Sequence, residues 1–300
     1  MILVTGATGY IGSHLVAGLR NEGLPVVCLV RKETSPRQIQ FLTSCGATTV
    51  CGDLLQPDQL VPLLTGKVTR VVHLVGSIVA SRKESFDTVH RGKTAALVAL
   101  CKRIGVEKIV LLTAVGAAAD AGSEYGRTKW LAEEEVRKSG IPYMILRASL
   151  VFGNLGALRN SKMLVRLAEL VRRTPFVPVM GNGKNRIQPV FIGDLVTCLI
   201  KAVTDDKLAG KTVDIAGPEQ MPFDRLIDLI ADHYELRRIK VHIPIPLIYP
   251  AAFLLEKILP VPPVSRDQLK LLQTDNVCDI GEMKKLFPVR LATFAEEFKL

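Results

Sequence analysis

The sequence predicts an α/β protein, a doubly wound parallel sheet with a smaller, mainly helical C-terminal lobe. Three observations carry this. Short apolar runs at 1–4, 25–30, 47–51, 70–75, 108–112 and 142–146 lack polar alternation, as strands buried on both faces do. Helical stretches at 11–21, 57–64, 85–103 and 125–139 lie between them, giving crossovers long enough for parallel, right-handed connections. Beyond about residue 150 prolines become frequent and helical patterns dominate.

The first strand runs into Thr5-Gly6-Ala7-Thr8-Gly9-Tyr10-Ile11-Gly12, and an amphipathic helix follows. Gly6 permits a tight turn off the strand, Gly9 keeps side-chain bulk away from a pyrophosphate, and Gly12 lets the helix pack closely on the sheet. The helix N-terminus then offers free N–H groups and a positive dipole end to phosphates. Between a strand and a helix, this triplet predicts a Rossmann-type dinucleotide site, with Thr8, Tyr10 and Ile11 among its contacts.

The second strand ends Leu29-Val30-Arg31-Lys32. A carboxylate there would bind the 2′-hydroxyl of NAD, whereas Arg31 suits a 2′-phosphate. NADP(H) is therefore the expected cofactor, with NAD(H) as the alternative because Glu33 stands close by. Asp53 and Leu54 follow the third strand, where a carboxylate can accept from the adenine amino group. Leu74, Val75 and Gly76 end the fourth strand and are expected to wall the cofactor.

Thr113 follows the fifth strand, at the sheet edge where ligands of open parallel sheets sit. Its hydroxyl is read either as orienting a reacting oxygen or as satisfying a loop. Tyr125 and Lys129 share a helix face at a four-residue spacing. The ammonium is expected to lower the phenol pKa toward working pH, making Tyr125 an acid/base, while Lys129 also reaches the nucleotide ribose.

The second half reads as helices at 158–173, 223–234 and 266–272, with strands at 211–216 and 240–243. The expected organisation is a dinucleotide-binding domain over 1–150 and a substrate or interaction lobe over 151–300, partly interleaved with the last sheet strands. A substrate would lie under residues 152–173, whose Arg159, Lys162, Arg166, Arg172 and Arg173 suit an anion or form a solvated face. Residues 243–255 carry no charge, and 258–264 continue the apolar run. Too short and proline-broken to span a bilayer, they read either as a helix buried in the lobe or as a surface for a membrane or a protein complex.

The composition is that of an ordinary globular protein, 48% hydrophobic and 23% charged. Residues 1–150 hold 18 basic and 12 acidic side chains and residues 151–300 hold 21 and 17, so the net charge of +10 is spread evenly. This excludes a basic arm for nucleic acid and fits an anionic ligand or surface. Six cysteines without a CxxC pair read as free, mostly buried thiols, and no clustered Cys and His suggest a metal. With no signal peptide ahead of the first strand, the expected location is cytoplasmic, or peripheral to the inner membrane.

Together these motifs resemble the extended or atypical branch of the short-chain dehydrogenase/reductase superfamily along the whole chain. The short gap from Thr113 to Tyr125 is similar to that in the group containing the NADPH-binding accessory subunit of respiratory complex I and its bacterial relatives. Residues 186–194 (RIQPVFIGD) and 267–276 (DQLKLLQTDN) resemble passages of that group. The resemblance implies hydride chemistry through Tyr125, Lys129 and Thr113, or a nucleotide held without turnover. Thr113-Ala114 stands where the superfamily often has serine. Three functions follow as expectations. The first is an NAD(P)H-dependent oxidoreductase acting on a small molecule, apolar or quinone-like if residues 243–255 line its site. The second is a non-catalytic accessory or assembly protein of a membrane respiratory complex. The third is a nucleotide-sugar epimerase or dehydratase.

Overall fold

The computed structural model describes residues 1–79, 84–259 and 264–298. Its centre is a sheet of seven parallel strands. In chain order these are β1 (Ile2–Thr5), β2 (Val26–Val30), β3 (Thr48–Cys51), β4 (Arg70–His73), β5 (Lys108–Ala114), β6 (Tyr143–Ala148) and, after four short strands described below, β11 (Lys211–Ile215). Across the sheet the order is β11-β6-β5-β4-β1-β2-β3. The order reverses between β1 and β4, which opens a crevice at their C-terminal ends.

Strand alternation sends side chains to two layers. Leu3, Val27, Val71, Ile109, Leu111 and Ile145 face one layer with α3 (Pro57–Leu64) and α4 (Lys93–Ile104). Val4, Cys28, Val72, Val110, Leu112 and Leu146 face the other, with α1 (Tyr10–Asn21) and α7 (Ile192–Thr204). Burial on both faces is why these strands are apolar throughout. A third core joins α6 (Lys162–Arg173) and α8 (Phe223–His233) to Phe152, Val177, Val179 and Phe294. In the second half, β11 joins the sheet and α7 packs on it, while α6 and α8 contribute to the third core.

Several elements depart from the sequence expectations. Helix α2 (Pro36–Ser44) fully buries only Leu42, with Ile39 and Phe41 half-buried beside it, and its start is marked by the Ser35–Gln38 capping box with Pro36 at the first position. The short strands β7 (Val151–Phe152) and β10 (Val190–Phe191) pair in parallel, and β9 (Arg186–Ile187) pairs antiparallel with β12 (Met221–Pro222). Strand β8 (Phe176–Met180) pairs in parallel with β13 (Ile239–Ile243), and Pro178 hides it from a strand pattern. The stretch read as one helix over 85–103 is helical over 86–104, with a π-helical turn, Thr88–Gly92, inside it ahead of α4.

The largest correction concerns α9 (Ile245–Ile258). The buried-helix reading fails: only Ala252 is fully buried, while Leu247, Tyr249, Phe253, Leu254 and Ile258 are exposed. Of the apolar continuation, 260–263 lie outside the described residues. Among the described residues no helix is long and apolar enough to cross a membrane. All six cysteines are free; Cys28, Cys101 and Cys198 are buried, Cys45 and Cys278 half-buried, and Cys51 exposed.

Candidate functional site

The glycine turn is built as the sequence requires. Gly6 has φ +77°, a conformation costly for a residue with a β-carbon. A β-carbon there would also stand 3.0 Å from the Leu74 carbonyl carbon, so β1 and β4 leave the sheet with their backbones in close approach. Gly9 is the extended N-cap of α1, and no side chain caps it. The first amides of α1 therefore face outward from the turn, as an anion site needs. A β-carbon at Gly12 would overlap the Gly6 carbonyl oxygen. Gly12→Ala is accordingly expected to lose about 1–3 kcal/mol of stability and to weaken binding of a nicotinamide dinucleotide. Urea unfolding together with a fluorescence titration of NADPH checks both, and an unchanged titration would mean that the turn does not meet the nucleotide.

The other expected cofactor contacts are distributed unevenly. Thr8, Ile11, Leu74 and Val75 are half-buried, and Gly76 is exposed. Arg31 is exposed at the end of β2, and the half-buried Asp53 accepts the Leu55 N–H at 3.0 Å. Leu54 instead places its side chain in the core. The Tyr10 hydroxyl turns away from a ligand role and donates to the Gly153 carbonyl at 2.6 Å.

The opposite wall is α5 (Glu124–Arg137). Tyr125, Lys129 and Glu133 follow one another at four-residue intervals along one face. Lys129 is 8% exposed, and its Nζ lies where Gly76 leaves room: a β-carbon on Gly76 would stand 2.7 Å from it. Burial lowers the Lys129 pKa to about 8, partly opposed by Glu133. The lysine is thus mostly charged at neutral pH and close to titrating.

Tyr125 differs from expectation. Burial pushes its hydroxyl up to about 12 rather than down. The Lys129 ammonium is 6.0 Å from the ring centroid, and desolvation dominates. Tyr125 is therefore protonated at neutral pH.

Thr113 makes a bond that spacing alone does not foretell. Its hydroxyl donates to Glu133 Oε1 at 2.7 Å, beneath α5. Glu133, fully buried, also receives Arg147 at 2.6 and 2.8 Å and Arg137 at 2.8 Å. Thr113 thus ties the end of β5 to the scaffold under the helix.

Two histidines missing from the sequence reading complete the wall. His90 lies in the π-helical turn, edge-on to Tyr125 at 5.4 Å and stacked on Phe86 at 5.6 Å. Such turns recur at functional sites. The Thr128 hydroxyl donates to the Glu124 carbonyl at 2.8 Å. His90 Nδ1 then donates to Thr128 Oγ1 at 2.8 Å, and Nε2 accepts the Ser77 N–H at 3.3 Å. With the Ser77 carbonyl 3.0 Å from Nε2, the other tautomer reverses these donors without moving a heavy atom. Either way His90 ties the loop after β4 to the helix of Tyr125. His73, at the end of β4, bonds Thr5 Oγ1 through Nδ1 at 2.6 Å, and its buried Nε2 has no partner among the described residues. Burial and then the Lys129 charge hold both histidines near pKa 3, so both are neutral. The signal was present: His90, Lys93 and Thr94 at i, i+3 and i+4 form a polar stripe on a helix face that is buried.

Residues 2–216 match the NAD dependent epimerase/dehydratase family. The chain is 26% identical to NADH dehydrogenase [ubiquinone] 1 alpha subcomplex subunit 9, mitochondrial, of Arabidopsis thaliana, covering 98% of this chain and 76% of that protein. It is 30% identical to the NAD(P)H azoreductase of Xenophilus azovorans, covering 74% and 69%. Its fold matches that of the UDP-glucuronic acid 4-epimerase of Bacillus cereus, solved with UDP-glucuronic acid and NAD, with a TM-score of 0.74 at 21% identity over 99% and 96% of the two chains. The chain belongs to the NAD dependent epimerase/dehydratase family.

Proposed function

We propose that the chain is an NADP(H)-dependent oxidoreductase that reduces a small molecule, with Tyr125 as proton donor. The observation that carries this is the facing pair of walls: the glycine turn with its uncapped helix on one side, and Tyr125 and Lys129 against Gly76 on the other. These residues fit a nicotinamide dinucleotide. Gly9 leaves backbone free for the pyrophosphate while Gly6 and Gly12 close the turn that presents it, Lys129 offers a buried cation to ribose hydroxyls, and Arg31 offers one to a 2′-phosphate. When bound, the nicotinamide supplies hydride. Tyr125, protonated because it is desolvated, gives its proton to the oxygen of the substrate. Lys129 holds positive charge beside the phenolate that this leaves. His90 keeps the Tyr125 ring in place through its edge contact and its bond to Thr128.

The test is binding followed by turnover. Titration with NADPH and with NADH separates the two cofactors, and a panel of carbonyl, quinone and azo compounds follows, the last because a relative is an azoreductase. Tyr125→Phe is expected to keep NADPH affinity and to lower kcat about 10²–10⁴-fold. Turnover left intact by this change would remove Tyr125 from the chemistry.

A second reading has its own observation. The exposed apolar side chains of α9 suit a protein held at a membrane surface or against a membrane complex, and a relative is named as a subunit of NADH dehydrogenase. In that case the nucleotide is kept rather than turned over. Slow release of NADPH, over hours, together with sedimentation on anionic vesicles or with a membrane fraction favours it.

A further inference from the structure

The passage over 267–276 stands out in the sequence, yet the reaction above gives it no task. Its first residue reaches the candidate site. An α-helix leaves its first four N–H groups without helical partners. In α5 the Arg127 N–H makes the first i→i−4 bond, to the Ser123 carbonyl at 3.1 Å, and the Ser123 hydroxyl takes the Gly126 N–H at 3.1 Å. Those of Glu124 and Tyr125, without helical partners, go to Asp267: its carboxylate accepts the Glu124 N–H at 2.7 Å and the Tyr125 N–H at 3.1 Å. Asp267 lies 142 residues beyond Tyr125 in the chain, on the short helix α10 (Arg266–Leu271). The helix that carries the proton donor is therefore finished by a carboxylate from the far end of the chain, placed at the positive end of its dipole.

The neighbours of Asp267 bind two other elements. Arg266 gives both its backbone N–H and its Nε to Glu256 of α9, at 2.6 and 2.7 Å, and its guanidinium covers Phe253 at 4.8 Å. Gln268 Nε2 reaches the Ile78 carbonyl at 3.5 Å, in the loop that follows Gly76. Farther on, Asp275 accepts the Arg186 N–H at 2.8 Å and Nε at 3.2 Å, and Asn276 returns its N–H to the Arg186 carbonyl at 2.8 Å. The two passages singled out by resemblance thus grip each other, and α10 is anchored at both ends.

We infer that Asp267 is a positioning residue for the candidate active site. Its carboxylate fixes the first turn of α5, and so the place of Tyr125, while Arg266 and Gln268 lock that contact to α9 and to the loop beside Gly76. This rests on the reading that α5 forms one wall of the nucleotide site. Without the carboxylate two amides lose their acceptor and the first turn frays. NADPH then binds only the fraction of molecules in which the turn is formed, and apparent affinity falls by that fraction.

The experiment compares the full-length chain with Asp267→Ala and Asp267→Asn by NADPH titration and by amide hydrogen exchange. Asp267→Ala is expected to weaken NADPH on the order of tenfold and to speed exchange at Glu124, Tyr125 and Gly126, with exchange in β4 and β5 unchanged. Asp267→Asn keeps one acceptor oxygen and should fall between. The inference is overturned if the alanine variant binds NADPH as the wild type does with unchanged exchange in α5, or if exchange rises evenly over the whole sheet. Should the alanine variant not fold, the asparagine variant decides by the same two readouts. If the wild-type chain binds no NADPH, the oxidoreductase reading fails, and exchange at the α5 amides alone decides the role of Asp267.

Discussion

Replacing Glu133 by alanine is expected to cost about 3–5 kcal/mol of folding stability. The carboxylate is fully buried and serves Thr113, Arg137 and Arg147 together. Its loss leaves a buried hydroxyl and two partly buried guanidinium groups without their acceptor, a deficit that neighbouring apolar packing does not repair. Arg137 keeps Glu134 at 2.8 Å, whereas no second carboxylate bridges Arg147 among the ion pairs of the described residues. Glu133 is also the group that holds the Lys129 pKa up against burial. The same variant should therefore lower that pKa further and make the lysine more often neutral at pH 7. Urea unfolding measures the first effect, and the pH dependence of NADPH affinity measures the second. A loss under 1 kcal/mol would show that the network is solvated rather than buried.

Acid should destabilise the fold well before its carboxylates are all protonated. His73 and His90 are held near pKa 3 in the fold, below the ordinary 6.5. Unfolding between those values therefore takes up protons. Their contribution to stability is complete above about pH 6.5 and is lost progressively as pH falls toward 3, with a limiting slope of about 1.4 kcal/mol per pH unit for each histidine. From pH 6.5 to 4.5 the pair should cost about 3–5 kcal/mol. Asp194 and Asp214, both raised by burial, act in the opposite sense and soften the decline. Unfolding free energies at several pH values, for the wild type and for His73→Gln and His90→Gln, isolate the histidine part. Equal slopes in all three proteins would mean that both rings take up protons in the folded state.

The sheet was legible because strands buried on both faces write themselves as apolar runs, and the glycine turn because only glycine tolerates the approach of Gly6 to Leu74. Tyr125 and Lys129 were legible through helical spacing. Less could be read where a residue's task depends on a partner distant in sequence. Thr113 stands at the sheet edge as expected, but Glu133, twenty residues on, claims its proton. The direction of the Tyr125 shift depended on whether desolvation or the lysine prevails, and burial is a property of the assembled layers. Helix α9 reads as apolar in either setting, so only packing shows that it lies outside the core.

The long reach from Asp267 to Tyr125 also sets an order of events during synthesis. The strands β1 to β6 and helix α5 leave the ribosome first, but the leading amides of α5 wait for a partner made 142 residues later. At about 5–20 residues per second this interval is roughly 7–28 s. For that time a nascent chain has its sheet nearly complete and helix α5 without an acceptor for the Glu124 and Tyr125 N–H groups. If Asp267 positions α5 as proposed, a chain that stops short of it should bind the nucleotide on the order of tenfold more weakly than one that includes it.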